Sequence, residues 1–222
     1  METSKLTTIF PIEVRCACCG HQSDQFVMGS TNEFGSPDLD LRPPEMKRST
    51  MDCWLQECAK CRYIASSLND PAPMHATDIV SSSGYREILA NAEFPVLARR
   101  FLAYGMLVDH VDDEAAGLAR LHAAWVCDDA GCASQAAACR SEAARALLRA
   151  KPFDDSDDGV TRGAVVVDVL RRAGQFDRAE AERLNLLNLG SAAGILRQVL
   201  EFEGQLIRVR DNVGYTVADV VK

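Results

Sequence analysis

Apolar residues recur at helical spacing from about residue 77 onward. One apolar face is formed by Leu97, Phe101, Tyr104, Val108 and Val111. Steps of four and three residues predict an α-helix that turns this face toward a core. The same spacing predicts five further helices, marked by Leu118, Leu121 and Trp125; by Ala143, Leu147 and Leu148; by Val165, Val166, Val169 and Leu170; by Leu184 and Leu187; and by Ile195, Val199, Phe202 and Leu206.

The beginning of the chain shows strand patterns instead. Apolar and charged residues alternate over Phe10–Arg15, which predicts a short strand, and Gln25–Met28 predicts a second. Residues 29–52 are rich in Gly, Pro, Ser and Asp, and they predict an ordered loop. Cys53–Glu57 then predicts a third strand.

Prolines at positions 71 and 73 interrupt regular structure between these two patterns. We therefore expect a small domain over residues 1–68, a linker over 69–76 and a helical domain over 77–222. In the helical part, Leu170, Gly174 and Ala179 have the spacing of the helix-turn-helix joint of a tetratricopeptide unit. Gly permits the sharp turn, and Ala lets two helices approach closely.

The chain has 222 residues, of which 47% are hydrophobic and 25% charged, a composition typical of a folded globular protein. A net charge of −8 disfavours nucleic acid as a partner, because the phosphate backbone is itself negative. No apolar run approaches the roughly 20 residues needed to span a bilayer. The first residues lack the basic start and apolar stretch of a signal peptide. We expect a soluble, cytoplasmic protein with no membrane partner.

Four of the nine cysteines form two C-x-x-C pairs, Cys16 with Cys19 and Cys58 with Cys61. Two thiolates at a tight turn can face one ion, and two such pairs supply the four sulfur ligands of a structural zinc site. The sequence therefore predicts one Zn²⁺ per chain. Iron in a rubredoxin-type site is an alternative, because thiolates bind either ion. A dithiol redox site and a chance pairing of buried cysteines are further alternatives.

Two more cysteines lie close to these pairs. Cys18 stands between two ligands and is expected to point away from the metal, whereas Cys53 belongs to the predicted third strand. Either could replace one of the four ligands. Gly20 directly follows Cys19, as expected where a knuckle turn needs a positive φ. The whole pattern predicts an α+β, mostly α protein, in which a small N-terminal zinc ribbon precedes an antiparallel, tetratricopeptide-like helical domain.

The chain combines C-x-x-C-G at Cys16–Gly20, PDLDLRPPEM at Pro37–Met46, C-x-x-C-R-Y at Cys58–Tyr63 and the tetratricopeptide-like joint. This order resembles an uncharacterised, widespread bacterial family, a domain of unknown function in which a CxxC…CxxC zinc ribbon is fused to tetratricopeptide-like helices. The resemblance covers most of the chain and is most specific over Ser36–Cys61. It implies the fold and the four zinc ligands, but it implies no reaction.

The chain departs from the family pattern at three positions. Ala17 and Ala59 replace the proline that usually follows the first cysteine of each knuckle, and Arg62 replaces the glycine that usually ends the second. A residue other than glycine at positive φ is costly. Arg62 therefore predicts a distorted second knuckle or a metal that is held more weakly.

Charged residues of the long loop form a second candidate site. Asp38, Asp40 and Arg42 could bind a ligand beside the metal. The favoured interpretation is structural: the aspartates cap turns, and Arg42 pairs with one of them to hold the loop. Asp128 and Asp129 close a predicted helix and could contact the ribbon.

The residues between the first two long helices resemble metal ligands by composition: Asp109, His110, Asp112, Asp113 and Glu114. Their position favours a solvated loop followed by a helix N-cap and an acidic first turn. His122, beside Trp125, is predicted to pack between helices.

The sequence contains no phosphate-binding Gly-rich loop, nucleophile elbow or H-E-x-x-H motif, so we expect no enzyme activity. The leading hypothesis is a non-enzymatic adaptor, in which the zinc ribbon is structural and the helical hairpins bind a protein or peptide partner. One alternative is a thiol or iron redox protein that uses the four-cysteine site. A second alternative is a nucleic-acid-binding zinc ribbon, which the acidic composition disfavours.

Overall fold

A computed structural model describes residues 7–109 and 111–221. Six strands occur in this part of the chain: β1 (Thr7–Arg15), β2 (Gln22–Thr31), β3 (Glu33–Phe34), β4 (Glu45–Met46), β5 (Gln56–Glu57) and β6 (Ile64–Ala65). Nine α-helices follow among the described residues: α1 (Ala76–Ser81), α2 (Ser83–Ala90), α3 (Val96–Val108), α4 (Asp113–Asp129), α5 (Ala133–Arg149), α6 (Asp157–Arg172), α7 (Phe176–Leu187), α8 (Gly194–Arg208) and α9 (Val217–Val220). The predicted fold class is confirmed: small antiparallel strands that bear the cysteines precede a predominantly helical region.

The strands β1 and β2 form a long antiparallel hairpin, in which Ile12 lies opposite Gln25 and Val14 opposite Ser23. Both predicted strands are present and extend further than the sequence indicated. Val14 is the one fully buried residue of the two strands. The hairpin therefore contributes little to the core and exposes most of its surface to solvent.

Two short strand pairs organise the segment that follows. The strand β3 pairs with β4, which brings together parts of the predicted loop over residues 29–52. The strand β5 pairs with β6 on either side of the second C-x-x-C pair. Each cysteine pair thus lies at the turn of an antiparallel hairpin.

The predicted strand over Cys53–Glu57 is wrong in its first part. Cys53 ends a 3-10 helix that begins at Arg48, and the last two residues of the predicted strand alone are extended. The hydroxyl of Thr50 donates to the carbonyl of Lys47 at 2.7 Å and accepts from the indole N–H of Trp54 at 3.0 Å. These local side-chain bonds stabilise a turn that competes with extended structure.

The six helices predicted from apolar spacing are present as α3 to α8. Val111 is a wrong assignment, because α3 ends at Val108 and Val111 is 75% exposed. The next helix, α4, begins at Asp113. The Asp112 carboxylate accepts the N–H of Ala115 at 2.9 Å, which gives the predicted N-cap. His110 lies outside the described residues.

The helices α1 and α2 were not predicted individually, because they are short, with six and eight residues. The start of α2 is fixed by Ser82, whose hydroxyl accepts the N–H of Tyr85 at 3.2 Å. None of the described helices combines the length and the apolarity that a membrane crossing requires.

The connection between α6 and α7 has the predicted joint. Gly174 has φ of +75°, and its N–H donates to the carbonyl of Arg171 at 2.8 Å. Leu170 and Ala179, on either side of the turn, are both fully buried. A tight glycine turn and a close helix contact therefore occur where the spacing placed them. The wider assignment to tetratricopeptide repeats stays a prediction.

One continuous buried core includes residues of both the strand-bearing part and the helices. The N–H of Ala17 donates to the carbonyl of Leu68 at 2.8 Å, and the hydroxyl of Tyr85 donates to the carbonyl of Arg62 at 2.8 Å. The predicted boundaries at 1–68, 69–76 and 77–222 separate strands from helices along the sequence. Their status as independently folding domains stays a prediction.

The last described segment returns to the long loop near the start of the chain. The N–H of Leu39 donates to the carbonyl of Tyr215, and the N–H of Val217 donates to the carbonyl of Pro37, both at 2.9 Å. An isolated antiparallel bridge joins Asp38 to Thr216 between these two bonds. A strand-like pairing therefore connects the long loop to the segment that follows α8.

Candidate metal centre

The two cysteine pairs lie in turns with the same hydrogen bonds. In the first, the N–H of Gly20 donates to the carbonyl of Cys16 at 2.7 Å. In the second, the N–H of Arg62 donates to the carbonyl of Cys58 at 2.9 Å. Each turn folds the chain back so that both of its cysteine side chains lie on the inner side.

The distortion that Arg62 predicted at the second turn is absent. Arg62 has φ of +66°, close to the +71° of Gly20, so the arginine adopts the backbone conformation that glycine has in the first turn. Its carbonyl accepts the hydroxyl of Tyr85 at 2.8 Å, and its guanidinium pairs with Glu57. These contacts offset the cost of a side chain at positive φ, which is about 1–2 kcal/mol.

The structure brings all four predicted ligands together. The Sγ atoms of Cys16, Cys19, Cys58 and Cys61 all lie within 4.8 Å of one another. Two contacts cross between the turns: 3.7 Å from Cys16 to Cys61 and 3.6 Å from Cys19 to Cys58. A tetrahedron with Zn–S bonds of about 2.3 Å has sulfur–sulfur edges of roughly 3.8 Å. The donor set therefore fits a tetrahedral thiolate-binding ion, and the separations are far longer than a disulfide bond of about 2.05 Å.

Burial and mutual repulsion disfavour four ionised thiols at this site in the absence of a cation. Cys16 and Cys58 are fully buried, and Cys19 and Cys61 are half-buried. Burial, together with the neighbouring sulfur atoms, raises the pKa of Cys61. Although burial opposes it, backbone N–H groups at Cys61 and Lys60 lower the pKa of Cys58 to about 7. Four thiolates at this spacing repel one another strongly unless a positive ion lies between them.

The two additional cysteines lie outside the cluster. Cys18 Sγ contacts the hydroxyl of Thr77 at 3.6 Å, so it points away from the four ligands, as expected. Cys53, at the end of the 3-10 helix, is not a member of the four-sulfur cluster. A replacement of one ligand by Cys18 or Cys53 has no support in this arrangement.

The three residues of the predicted loop patch are engaged in contacts within the protein. The guanidinium of Arg48 donates to Asp38 at 2.8 Å. Asp40 is 1% exposed, and its carboxylate accepts the indole N–H of Trp125 at 2.8 Å and a guanidinium N–H of Arg172 at 2.9 Å. Both aspartates are therefore engaged in contacts within the protein, and the binding of a ligand by this patch stays a prediction.

Arg42 has a different partner from the one that the sequence suggested. Its backbone N–H bonds to Asp40 at 3.2 Å, but its buried guanidinium pairs with Asp129 at the end of α4. The predicted contact between Asp129 and the first part of the chain is thereby present. The loop is a charged connection between the strand-bearing part and the helices.

Sequence reasoning did not single out a second group of buried charges. Arg171 is fully buried and donates to Asp168 at 2.5 Å and to Glu203 at 2.6 Å. It also donates to the carbonyls of Asp211 and Val213, both at 2.9 Å. The available signal was Asp168 itself, a carboxylate within the apolar run from Val165 to Leu170.

No family model matches this chain, and no curated protein and no solved structure shows significant similarity to it. The four-cysteine cluster and the helical region that the family resemblance implied are both present. Membership of that bacterial family has no further support.

Proposed function

We propose that the protein is a non-enzymatic adaptor whose strand-bearing part is held together by one structural zinc ion. The observation that carries this proposal is the tetrahedral spacing of four sulfur atoms contributed by two hairpin turns. Cys16, Cys19, Cys58 and Cys61 would hold the ion, and no position would remain open for a substrate. The ion would link the two hairpins, which the side chain of Gln25 also joins through hydrogen bonds to the backbone of Glu57.

Elemental analysis of protein purified without added metal tests this site. We expect about one zinc per chain, with no visible absorption band, because zinc has a filled d shell. Iron with a visible thiolate band would instead favour the redox alternative, since a four-cysteine site also accepts iron. Protein that is folded and free of metal would contradict both the zinc site and the iron site.

A surface for a partner is offered by one face of the β1–β2 hairpin. Residues that lie opposite each other in an antiparallel pair project to the same face, and Ile9 lies opposite Met28 and Pro11 opposite Phe26. Ile9 is 48% exposed and Phe26 63% exposed. We call these four residues the hairpin patch. The helices, in contrast, expose large apolar residues singly, each on a different helix: Val96, Leu118, Leu184 and Ile195.

The charges beside the hairpin patch indicate which kind of partner fits it. Glu13 lies opposite Asp24 on the same face, and both are exposed. Like charges directly across a strand pair are destabilising, and neither carboxylate belongs to an ion pair among the described residues. An extended segment of another protein that carries apolar side chains next to Lys or Arg would cover the patch and neutralise this pair.

We expect a labelled peptide that alternates Val and Lys to bind the zinc-loaded protein, and its binding to weaken as salt increases. Fluorescence anisotropy measures the affinity. The Phe26→Ser change should reduce it by about tenfold, as expected for the loss of a large apolar contact. Phe34→Ser is the matched control, because Phe34 is 57% exposed and lies on β3. A Val–Glu peptide that binds equally well, or a Phe26→Ser variant that binds normally, would refute the hairpin patch as the partner surface.

A further inference from the structure

A cavity of about 280 Å³ lies between α4, α5, α6 and the loop that contains Asp40. Its walls are mainly apolar and include Leu118, Leu147, Val165 and Val166. The volume falls just below the usual range of small-molecule sites, about 300–1,000 Å³. The cavity is separate from the four cysteines and from the hairpin patch, none of which lines it.

The negative charge at the base of the cavity already has its partners. Asp40 accepts hydrogen bonds from Trp125 and Arg172 and lies 3.8 Å from a nitrogen of Arg140. A cationic ligand would therefore gain little from this carboxylate, since two arginines already neutralise it.

The positive charge in the wall is less well satisfied. Arg162 contacts Asp158 at 3.3 Å through Nε and the carbonyl of Lys151 at 3.4 Å through Nη1, both at the long limit of a hydrogen bond. Its Nη2 atom is buried and has no hydrogen-bond partner. The guanidinium also lies 5.9 Å from the centre of the Phe153 ring, another wall of the cavity. An unpaired buried donor is costly, so this atom favours an acceptor from a ligand.

His122 is a second polar group in the wall. His122 is half-buried, and its ring packs 4.7 Å from that of Trp125 and about 5 Å from those of Trp54 and Phe101. No hydrogen bond joins its ring nitrogens to the described residues. Burial lowers the pKa of His122 to about 4, so near neutral pH the imidazole is uncharged and offers one donor and one acceptor.

The residue at the cavity wall next to Asp40 is held in a strained conformation. Leu41 has φ of +62° although it is not glycine, and it remains 51% exposed. Such strain costs about 1–3 kcal/mol and concentrates at ligand-binding sites. Glycine would relieve the strain but would remove the apolar side chain that borders the cavity.

From these observations we infer that the cavity binds a small, mainly apolar monocarboxylic acid. The carboxylate accepts hydrogen bonds from the unpaired nitrogen of Arg162, and the apolar body lies along Leu118, Leu147 and Val166 toward His122. Glu114, exposed at the rim, repels anions, so a ligand whose single carboxylate lies at Arg162 is favoured over a ligand with two carboxylates. This inference does not depend on the metal or on the hairpin patch.

Isothermal titration of the zinc-loaded full chain with hexanoate and benzoate tests the inference. Hexanol, benzyl alcohol and hexylamine serve as probes of matched size. We expect the carboxylates to bind at least about tenfold more tightly than the alcohols, because a charged hydrogen bond replaces a neutral one. The fluorescence of Trp125, which lines the cavity, should report the same affinities.

Two variants separate the roles of charge and volume. Arg162→Gln should remove the preference for carboxylates over alcohols, whereas Leu118→Trp should abolish the binding of both by filling the cavity. Arg197→Gln is the matched control, because Arg197 lies on α8, outside the cavity, and its side chain is 55% exposed. Zinc content and circular dichroism establish that each variant is folded. Equal binding of carboxylates and alcohols, preference for the amine, no binding at all, or an Arg162→Gln variant with unchanged affinities would overturn the inference.

Discussion

The Cys58→Ser variant is expected to lose both its metal and the folded state of the strand-bearing part. Cys58 is fully buried, and its Sγ lies 3.6 Å from that of Cys19 on the other hairpin. Binding of structural zinc supplies roughly 10–16 kcal/mol in small zinc domains, which equals or exceeds the total stability of a typical protein. The β1–β2 hairpin has little core of its own to replace that contribution, because Val14 is the one fully buried residue of its two strands. Zinc content and the dispersion of NMR amide signals measure the two losses.

Cys18→Ser is the matched control, since it removes a thiol between two of the ligands but outside the cluster. We expect this variant to retain its zinc. Its free energy of unfolding should lie within about 0.5 kcal/mol of that of the unchanged protein. A Cys58→Ser protein that keeps stoichiometric zinc and full stability would show that the four sulfurs do not act as one site.

The Arg171→Met variant is expected to lose about 3–5 kcal/mol of unfolding free energy. The side chain of methionine fills part of the same space, but Asp168 and Glu203 would remain buried without their cation. Removal of one partner of a buried ion pair costs about this much. The variant would also lose two hydrogen bonds to the carbonyls of Asp211 and Val213, which hold the segment after α8. Urea unfolding followed by circular dichroism measures the change.

The same variant should show a characteristic pH dependence. Burial and the nearby Asp168 carboxylate already raise the pKa of Glu203 to about 8, and burial raises the pKa of Asp168. Without Arg171 both values rise further, so the folded state holds protons that the unfolded state releases above about pH 4. The free energy of unfolding then falls as pH rises. The loss of stability relative to the unchanged protein should therefore be larger at pH 8 than at pH 5.

An exposed ion pair provides the comparison for Arg171. Arg197 and Glu201 are both 55% exposed in their side chains and lie 3.0 Å apart on α8. Arg197→Met should cost less than about 1 kcal/mol at either pH. An Arg171→Met variant with an equally small effect would mean that water or a rearranged partner satisfies the buried carboxylates.

Local features of this fold could be predicted from sequence, and contacts distant along the chain could not. The C-x-x-C spacing indicates a metal-binding turn at each end of a long segment, because the geometry of a turn depends on adjacent residues. The apolar spacing in α3 to α8 likewise depends on neighbours within one helix. The 3-10 helix ending at Cys53 was missed because short side-chain bonds outweighed a weak strand pattern.

The charged contacts between the loop and the helices show the limit of such reasoning. Asp40 and Trp125 are 85 positions apart, and Arg172 lies 132 positions beyond Asp40. Nothing in the local pattern distinguishes these charges from those of a solvated surface. The buried position of Arg171 was missed for the same reason, since arginine near the end of a helix usually faces water.

The strand-like pairing of residues 36–39 with residues 215–218 has a consequence for the order of events during synthesis. At about 5–20 residues per second, the ribosome needs roughly ten seconds or more to add the segment that completes this pairing. The two cysteine hairpins can meet long before then, because their ligands lie within the first 61 residues. On the proposed zinc site, the ion could therefore be bound before the long loop closes during translation. Asp40 and Arg42 would lack their partners Trp125, Arg172 and Asp129 until the helices are synthesised.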